Sequence, residues 1–449
     1  QYCDRIYLTD DNPRYENPKA IRTSIKKNIN KSKIYEISNR ANAIKKAIFE
    51  QKTGEILIVA GKGHEKIQEY KKIKKLFSDQ KQILKNISIK NKKLSSNFKL
   101  NILKELSNSN NISSNLKIKN ATINSKEIKK NDVFFAIKGK NKDGNLFVKE
   151  AFAKGASLAI VNNQKKSKNK IVVKNTLNFL TEASSILREN LSSKIISITG
   201  SCGKTSLKEL IGKSLKKISR VTYSTKSFNN KFGVPLSLFN LKKNDVFGIF
   251  EIGMDKKGEI DYLSKIIKPD VGVITNISYA HIKNFKNIKQ IALAKSEIIK
   301  NIKDDGYLIL NKDDEFYNFH KKIGLRRNLK ILSFSTKNKR ATTNLDSISQ
   351  EKLKYKIYIN INKKKKYFYL NTFFENDLKN LLATITIISI FKDIHKLDEN
   401  IFYDHKVING RGDIVKVKLF KKSFYLVDES YNSNPLSLKS ALINFDMIK

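Results

Sequence analysis

The sequence has few of the residues that stabilise secreted proteins and no segment suited to crossing a membrane. Only two of its 449 residues are cysteine and none is tryptophan. Two cysteines cannot build a disulfide scaffold, and such scarcity is typical of the reducing cytoplasm, where we expect this chain to work. No run of about 18 uncharged apolar residues occurs, so we predict no membrane span.

Arginine is scarce as well, and this bears on how the charge is interpreted. The formal net charge is +47, but only ten of the 89 basic residues are arginines. A large positive charge favours binding to phosphate polyanions, whereas base and phosphate recognition relies on the bidentate arginine side chain. The lysines are scattered among abundant Asn and Ile, a pattern typical of codon bias. We therefore expect no nucleic-acid partner and keep a basic binding protein as an alternative.

The first 115 residues predict one domain and a linker. The apolar run 56–60 ends at Gly61, which indicates a buried parallel strand, and residues 36–51 predict a helix before it. We interpret residues 1–85 as this domain. The segment 86–115 is rich in Asn, Ser and Lys, and we interpret it as a linker.

The rest of the chain alternates strand and helix patterns, which favours an α/β fold. We expect a small α/β domain at 116–190, a central domain at 191–409 with a mostly parallel sheet, and the truncated start of another domain at 410–449. The predicted strands lie at 132–137, 156–161, 195–199, 247–252, 271–277, 307–310 and 424–427, with helices at 147–154, 207–215 and 376–391 and a hairpin near 353–370.

The sharpest local signal is a glycine-rich segment between an apolar strand and a helix. It consists of Gly200, Ser201, Cys202, Gly203, Lys204, Thr205 and Ser206. Glycines let the backbone wrap around a phosphate, and the following helix N-terminus offers free N–H groups. Lys204 would neutralise β/γ-phosphate oxygens and Thr205 could meet Mg²⁺. The strict P-loop pattern requires glycine at 198, where this chain has Ile, so a plain glycine turn remains an alternative. We interpret Cys202 as a small turn residue, not as a nucleophile.

Further polar residues follow the apolar strands of the central domain. Glu251 ends one strand, Asn276 ends the next, and His281 follows five residues later. Ligands bind at the carboxyl ends of parallel strands, where a carboxylate and an imidazole could hold Mg²⁺ beside a triphosphate. The alternatives are a surface acid for Glu251 and a capping or core histidine for His281. Without the glycine-rich loop, we would favour these two alternatives over a metal site.

Several motifs occur in one order along residues 116–449. They are Thr199–Thr205, the segment 228–235 (FNNKFGVP), Glu251-Ile252-Gly253-Met254, Thr275-Asn276-Ile277, His281, Ala294-Lys295-Ser296-Glu297 and the segment 428–435 (DESYNSNP). This ordered set resembles the Mur ligase family of peptidoglycan synthesis. The Tyr431-Asn432-x-Asn434 part is similar to the branch of the family that adds D-alanyl-D-alanine, and residues 120–161 resemble its uridine-nucleotide-binding domain.

The resemblance implies a multidomain fold whose central domain is a mostly parallel-sheet, P-loop ATPase-like domain. It implies an ATP-dependent, ADP-forming ligase that uses Mg²⁺ and joins D-alanyl-D-alanine to UDP-N-acetylmuramoyl-tripeptide through an acyl phosphate. We expect a cytoplasmic monomer. Another ligase of the superfamily, such as folylpolyglutamate synthase, and an inactive fragment remain alternatives.

The resemblance also implies roles for individual residues. The catalytic set is Lys204, His281 and Lys295, and the Mg²⁺ ligands are Thr205, Glu251, His281 and, if carbamylated, Lys295. The ATP contacts are Gly200, Ser201, Cys202, Gly203, Lys204, Thr205, Ser206, Asn276, Arg411, Tyr431, Asn432 and Asn434. The UDP-substrate contacts are Ser125, Lys126, Gly139, Asp143 and Gly144. The chain departs from the family pattern at Asn124, Lys126 and Glu429, and only Asn380 remains of a pattern expected before the late helix.

Residues 9–14 and 61–65 resemble a different Mur ligase, the one that adds diaminopimelate. The resemblance implies a diaminopimelate site made of Asp11, Asn12, Arg14, Gly61 and Glu65. Arg14 can grip a carboxylate bidentately and Glu65 can pair with an ammonium group; a turn rich in Asn and Pro is the alternative. We therefore expect the chain to be the junction of two fused ligases, without the front of the first and the end of the second.

Overall fold

The structure is a computed structural model that describes most of the chain in two compact units, residues 1–118 and 119–449. Four predicted site residues, His281, Arg411, Asn432 and Asn434, lie outside the described residues. Among the described helices, none is both long and apolar enough to cross a membrane. The description leaves out residues 1–2, 30–32, 52–54, 64, 110–111, 114, 140, 163–167, 225–226, 280–283, 352–353, 372–374, 405–409, 411–412, 421, 432–437, 440 and 444–449, and the side chains of 89, 91–96, 375–376 and 413–414.

Among its described residues, the first unit contains one parallel strand pair, one hairpin and three helices. Its elements are β1 (Arg5–Leu8), α1 (Pro18–Lys27), β2 (Lys33–Glu36), α2 (Arg40–Glu50), β3 (Ile67–Tyr70), β4 (Ile73–Leu76) and α3 (Asp79–Ser107). β1 pairs in parallel with β2, and β3 pairs antiparallel with β4. The predicted helix over 36–51 is confirmed as α2, which buries Ile44, Ala47 and Ile48.

Two expectations for this unit need correction. Residues 56–60 form no strand, and Ile56 and Ile58 are 89% and 78% exposed. A parallel strand depends on backbone hydrogen bonds to a neighbour, and an apolar run does not specify that neighbour. The linker expected at 86–115 is helical as far as Ser107. The buried residues Leu100 and Leu103 recur there at helical spacing, which the Asn- and Lys-rich composition obscures.

The second unit begins with a small parallel sheet. It is built from β5 (Ala121–Thr122), β6 (Val133–Phe135), α4 (Val148–Ala153), β7 (Leu158–Val161), β8 (Lys170–Val172) and α5 (Thr176–Glu189). The strand order is β5-β6-β7-β8 and all pairs are parallel. The predicted strands at 132–137 and 156–161 and the helix between them are confirmed. The side chain of Asn240 joins this sheet to the rest of the unit: its Oδ1 accepts a 2.6 Å hydrogen bond from the Ala121 N–H, and its Nδ2 donates a 3.0 Å hydrogen bond to the Ala121 carbonyl oxygen.

A nine-stranded sheet forms the centre of the second unit, in the order β10-β11-β9-β12-β13-β14-β15-β16-β17. Neighbours from β10 to β15 are parallel, and β15, β16 and β17 are antiparallel. The mostly parallel central sheet is therefore confirmed. Its elements are β9 (Lys194–Thr199), α6 (Lys204–Lys216), β10 (Val221–Tyr223), α7 (Gly233–Phe239), β11 (Phe247–Glu251), α8 (Glu259–Ile267), β12 (Val271–Ile274), α9 (Ile288–Lys300), β13 (Tyr307–Asn311), α10 (Tyr317–Arg326), β14 (Lys330–Ser335), β15 (Thr343–Glu351), β16 (Lys354–Ile361), β17 (Lys364–Leu370) and α11 (Glu375–Ser389).

The main core of the second unit lies between the sheet and two helices, α6 and α11. Apolar residues of α6, such as Leu207 and Ile211, pack with Ile196 and Ile249 of the sheet. Since strand side chains alternate between faces, Glu251, two residues after Ile249, points to the same face as α6. An antiparallel hairpin of β18 (Asp413–Leu419) and β19 (Lys422–Asp428) follows the sheet.

Candidate active site

The loop between β9 and α6 requires glycine at its first position. Gly200 has φ +148°, and a Cβ built there would lie 1.9 Å from Oγ1 of Thr275. Oγ1 of Thr275 in turn donates a 2.6 Å hydrogen bond to the carbonyl oxygen of Cys202. The loop therefore packs directly against the end of β12, which explains why a glycine follows the strand.

Asn276 and Ser278 hold the same loop in place. The N–H of Ser201 donates to the carbonyl oxygen of Asn276 at 2.9 Å, and the N–H of Cys202 donates to Oδ1 of Asn276 at 3.0 Å. The Ser201 hydroxyl donates to the Ser278 carbonyl oxygen at 3.0 Å. Asn276, predicted as an ATP contact, thus shapes the loop itself, and Cys202 is a half-buried turn residue.

Lys204 starts α6 and reaches back over the loop. Its Nζ donates hydrogen bonds to the carbonyl oxygens of Gly200 and Ser201, at 2.8 and 3.2 Å. Ser206 lies in the first turn of α6. The N-terminus of α6 and the ammonium group of Lys204 therefore lie at the loop, an arrangement that suits a phosphate.

Behind the loop, Glu251 is buried and held at both carboxylate oxygens. It is 1% exposed, so a surface acid is excluded. Its Oε2 accepts a 2.7 Å hydrogen bond from the Thr205 hydroxyl, and its Oε1 accepts a 2.8 Å hydrogen bond from Nδ2 of Asn229. The structure thus brings together Thr205 and Glu251, two of the residues expected to bind Mg²⁺.

Lys295 and Glu297 lie in α9 but face different partners. Lys295 is 2% exposed; burial, with a smaller contribution from the charge of Lys204, lowers its pKa well below the usual value. Glu297 accepts hydrogen bonds from the N–H groups of Gly258 and Asp261, at 2.8 and 3.1 Å. Glu297 therefore fixes the start of α8, while Lys295 is a buried amine near the loop.

Tyr431 is the described member of the Tyr-Asn-x-Asn segment. Its hydroxyl contacts the hydroxyl of Ser227, and its N–H donates to the carbonyl oxygen of Gly410 at 3.0 Å. Asn380, on α11, lies 3.5 Å from where a Cβ of Gly203 would be. Asn380 of the late helix therefore lies beside the glycine-rich loop, and Tyr431, which follows the last hairpin, contacts Ser227.

Two of the residues expected to contact uridine, Ser125 and Lys126, lie in a short turn after β5. The Ser125 hydroxyl donates to Oε2 of Glu150 on α4 at 2.9 Å. The N–H of Lys126 donates to Oδ1 of Asn124 at 3.1 Å. Asn124, a departure from the family pattern, thus begins this turn.

The other three, Gly139, Asp143 and Gly144, share one turn after β6. Oδ1 of Asp143 accepts hydrogen bonds from the backbone and side-chain N–H groups of Asn145, at 2.9 and 2.7 Å, which lower the pKa of Asp143. A Cβ on Gly144 would lie 2.7 Å from the backbone of Ala136. The structure brings these three together and shows that each also shapes the turn.

In the first unit, Lys62 brings most of the predicted diaminopimelate residues together. Its buried Nζ donates to Oδ1 of Asn12 at 3.0 Å and lies 3.6 Å from both Asp11 and Glu65. Nδ2 of Asn12 donates to Oε2 of Glu65 at 2.6 Å. Arg14 has an exposed side chain.

Gly61 also belongs to this group of residues. It lies so close to Asp11 that a Cβ added to Gly61 would be 3.2 Å from Oδ2 of Asp11. Sequence reasoning gave Lys62 no role, although it stands inside the quoted 61–65 segment.

Three residues of the second unit that contact the loop, its helix or the strand ends also received no role from the sequence. Asn229 stands in a quoted motif but received no role, and Lys208 and Asp314 were not considered. Oδ2 of Asp314 accepts a 2.8 Å hydrogen bond from the N–H of Ile277, and burial raises the pKa of Asp314. Asp314 follows β13, so the rule that polar residues at strand ends face the ligand crevice could have found it.

A glycine-rich loop at the start of a helix, a hydroxyl and a buried carboxylate behind it, and a mostly parallel sheet define a nucleotide-binding α/β enzyme. Comparison with known families agrees. The model of the Mur ligase family, catalytic domain, matches residues 117–187, and that of the Mur ligase middle domain matches residues 198–388.

Curated relatives and solved structures extend the match. The UDP-N-acetylmuramoyl-tripeptide–D-alanyl-D-alanine ligase of Buchnera aphidicola subsp. Baizongia pistaciae is 32% identical over 333 residues, covering 73% of this chain and 70% of that protein. The Rickettsia prowazekii enzyme of the same name is 32% identical, covering 74% and 73%. MurF from Acinetobacter baumannii superposes with a TM-score of 0.63 at 26% identity, covering 76% and 74%.

MurF from Thermotoga maritima, solved with ADP, gives a TM-score of 0.61 at 25% identity, covering 72% of this chain and 74% of that one. The chain therefore belongs to the Mur ligase family and has the architecture of the MurF structures. It is an ATP-dependent ligase of that family.

Proposed function

We propose that the second unit joins D-alanyl-D-alanine to UDP-N-acetylmuramoyl-tripeptide, with ATP converted to ADP and phosphate. ATP activates the peptide carboxylate as an acyl phosphate, which the free amine of D-alanyl-D-alanine attacks. The observation that carries the proposal is the buried Glu251, held by Thr205 and Asn229 behind the glycine-rich loop. It stands in a chain similar to ligases that bear this name.

Mg²⁺ fits the residues behind the loop. Thr205 and Glu251 offer a hydroxyl and a carboxylate, the hard oxygen ligands that Mg²⁺ prefers. The described residues contain no cluster of three His, Cys, Asp or Glu side chains, so phosphate oxygens and water would complete the coordination. When bound, the ion spreads the negative charge of the transferring phosphoryl group.

Two further metal ligands, His281 and Lys295, remain proposals. A protonated lysine cannot bind a cation, whereas a carbamylated lysine offers anionic oxygen. The lowered pKa of Lys295 supports this modification, because only the neutral amine reacts with carbon dioxide.

The substrate-contact residues of the sequence prediction are also proposals. For ATP they include Asn276, Arg411, Tyr431, Asn432 and Asn434. For the uridine nucleotide they are Ser125, Lys126, Gly139, Asp143 and Gly144. A cytoplasmic location, where ATP and UDP-sugar substrates are available, and a monomeric state complete the proposal.

The proposed reaction is tested by phosphate release from purified protein. Release is expected only when ATP, Mg²⁺, UDP-N-acetylmuramoyl-tripeptide and D-alanyl-D-alanine are all present. A folate with glutamate, offered in place of the peptide substrates, serves as the comparison for folylpolyglutamate synthase activity. Lys204→Ala is expected to abolish nucleotide binding. Absence of release with the complete mixture, or release with the folate mixture instead, contradicts the proposal.

We also propose that the first unit derives from the C-terminal domain of a diaminopimelate-adding Mur ligase, so that two consecutive ligases are joined. The support is the convergence of Asp11, Asn12, Gly61 and Glu65 around Lys62. Calorimetric titration of the chain with meso-diaminopimelate and with lysine tests it. Preference for diaminopimelate that is lost in Arg14→Ala supports the assignment, and equal binding of both amino acids or of neither contradicts it.

A further inference from the structure

Two adjacent aspartates follow β13, and each holds a different neighbouring part of the chain. Oδ2 of Asp314 accepts a 2.8 Å hydrogen bond from the N–H of Ile277, which lies after β12. Oδ2 of Asp313 accepts a 2.8 Å hydrogen bond from the N–H of Thr336, which lies after β14. Since β12 and β14 flank β13 on its two sides, the two carboxylates link the end of β13 to the chain that leaves each neighbour.

Asp314 connects β12 and β13 beyond the last pair of their ladder. The pairing of the two strands ends at Ile274 and Leu310. Three residues after Ile274, the Ile277 N–H donates to the Asp314 side chain. The other carboxylate oxygen, Oδ1, accepts a 2.9 Å hydrogen bond from the N–H of Phe316. Asp314 therefore holds the chain after β12 where the ladder no longer does.

Residues 275–278, the post-β12 segment, contact the glycine-rich loop on one side and Asp314 on the other. The residues of this segment that hydrogen-bond to Ser201 or Cys202 of the loop are Thr275, Asn276 and Ser278. The Ser201 hydroxyl accepts from the Ser278 N–H at 2.9 Å and donates to the Ser278 carbonyl oxygen at 3.0 Å. Ile277 stands between the last two of these residues, and its N–H donates to Asp314.

A single peptide unit connects Asp314 to the loop. The Ile277 N–H and the Asn276 carbonyl group belong to the same planar, trans peptide unit, so they point in opposite directions. On one side the N–H donates to Asp314, and on the other the carbonyl oxygen accepts the 2.9 Å hydrogen bond from the Ser201 N–H. Rotation of this peptide unit would break both bonds at once. Asp314 therefore fixes the acceptor to which the loop residue Ser201 is bonded.

We propose that Asp314 is a positioning residue for nucleotide binding, which holds the glycine-rich loop, through this one peptide unit, in the shape that accepts a phosphate. The proposal rests on the proposed function, in which the loop binds the phosphates of ATP. Asp314 bonds to the side of the peptide unit opposite the loop, so it acts on the loop indirectly. Its loss should therefore loosen the loop and weaken nucleotide binding.

The test compares Asp314→Ala with Asp313→Ala. Asp313 is the matched control, because it is a carboxylate of the same turn that holds the chain after β14 and not the post-β12 segment. ADP affinity is measured by calorimetry. Amide hydrogen exchange of the nucleotide-free protein is followed by mass spectrometry, and the free energy of unfolding is measured in urea.

We expect Asp314→Ala to bind ADP about tenfold more weakly than Asp313→Ala. A hydrogen bond to a charged group shifts an equilibrium by about tenfold or more, and apparent affinity falls with the fraction of protein in the competent shape. The amides of Ser201 and Cys202 should exchange faster in Asp314→Ala and at the unchanged rate in Asp313→Ala. Both variants should lose some stability, since each leaves a backbone N–H without its acceptor.

Equal ADP affinity in the two variants overturns the proposal. Lost affinity with faster exchange throughout the second unit also overturns it, because that result indicates a merely structural aspartate. If alanine at 314 prevents folding, Asp314→Asn is compared with Asp313→Asn. Asparagine offers one acceptor oxygen to two N–H donors, so the same changes are expected on a smaller scale.

Failure of the unchanged protein to bind ADP overturns the proposed function itself. The exchange rates of Ser201 and Cys202 are measured without nucleotide, so they still decide whether Asp314 positions the loop. Unchanged exchange at both amides in Asp314→Ala shows that it does not.

Discussion

The Thr205 hydroxyl donates a 2.7 Å hydrogen bond to Oε2 of Glu251, joining the first turn of α6 to the end of strand β11. Because Asn229 holds the other oxygen at 2.8 Å, the carboxylate has one defined orientation in the buried site. A charged group fixed in this way needs little reorganisation to stabilise charge that develops during phosphoryl transfer.

Replacing Thr205 with valine tests this relationship, because valine keeps the shape and removes the hydroxyl. We expect Mg²⁺-dependent phosphate release to fall by about 10- to 100-fold, since the hydroxyl is both a partner of Glu251 and a candidate metal ligand. Thr181→Val is the matched control. The Thr181 hydroxyl donates to the carbonyl oxygen of Leu177 within α5, away from the loop. Equal activity of the two variants would show that the Thr205 hydroxyl is dispensable.

A second prediction concerns the close approach of Gly200 to Thr275. Gly200→Ala should weaken ADP binding by about tenfold or more, because the added Cβ would meet Oγ1 of Thr275 at 1.9 Å and displace the loop. Gly258→Ala is the control: Gly258 also has positive φ, but a Cβ added there would meet no atom of the described residues within 4 Å. Calorimetric titration with ADP measures both. A loss of affinity common to both variants would point to backbone strain, not to the contact with Thr275.

Much of this site could be predicted from the sequence because its signals are local. The glycine spacing of the loop and the polar residues at strand ends mark the candidate phosphate site without knowledge of distant contacts. Asn229 received no role because its bond to Glu251 joins residues 22 positions apart. Lys208 was hidden for another reason: among 79 lysines, a buried one on α6 has no distinguishing sequence signal.

The first unit shows where apolar patterning is insufficient. Residues 56–60 have the composition of a buried strand, yet Ile56 and Ile58 are exposed. Strand formation depends on a partner edge, which is a property of the assembled sheet and not of the run itself. At α3 the error was the reverse, because a helix was predicted to be a linker. Lysine and asparagine can cover the outer face of a helix whose buried face consists of a few leucines.

A third prediction concerns Arg188, whose buried guanidinium joins α5 to the end of α8. It donates to the carbonyl oxygen of Ile267 at 2.8 Å and to Oδ2 of Asp270 at 2.8 Å. Arg188→Met should lower the free energy of unfolding by about 3–5 kcal/mol, because it removes the donor to several carbonyl groups and one of the partners of Asp270. Urea denaturation measures the change, and Arg326→Met, at an exposed position of α10, should lie near the unchanged protein. Similar stability losses in both variants would contradict the assignment.

The last prediction concerns His320, which packs on the helix that carries Lys295. Its Nε2 lies 3.1 Å from the carbonyl oxygen of Ala292, and burial lowers its pKa from 6.5 to about 4. Between these two pH values the unfolded chain binds the proton and the folded protein does not. Stability from neutral His320 is therefore complete above pH 6.5 and is lost as the pH falls toward 4, by about 3 kcal/mol in total. His320→Gln cannot titrate, so the difference in unfolding free energy between the unchanged protein and this variant should shift by about that amount in urea titrations from pH 7 to pH 4. Parallel pH profiles for the two proteins would show that His320 titrates normally in the folded state.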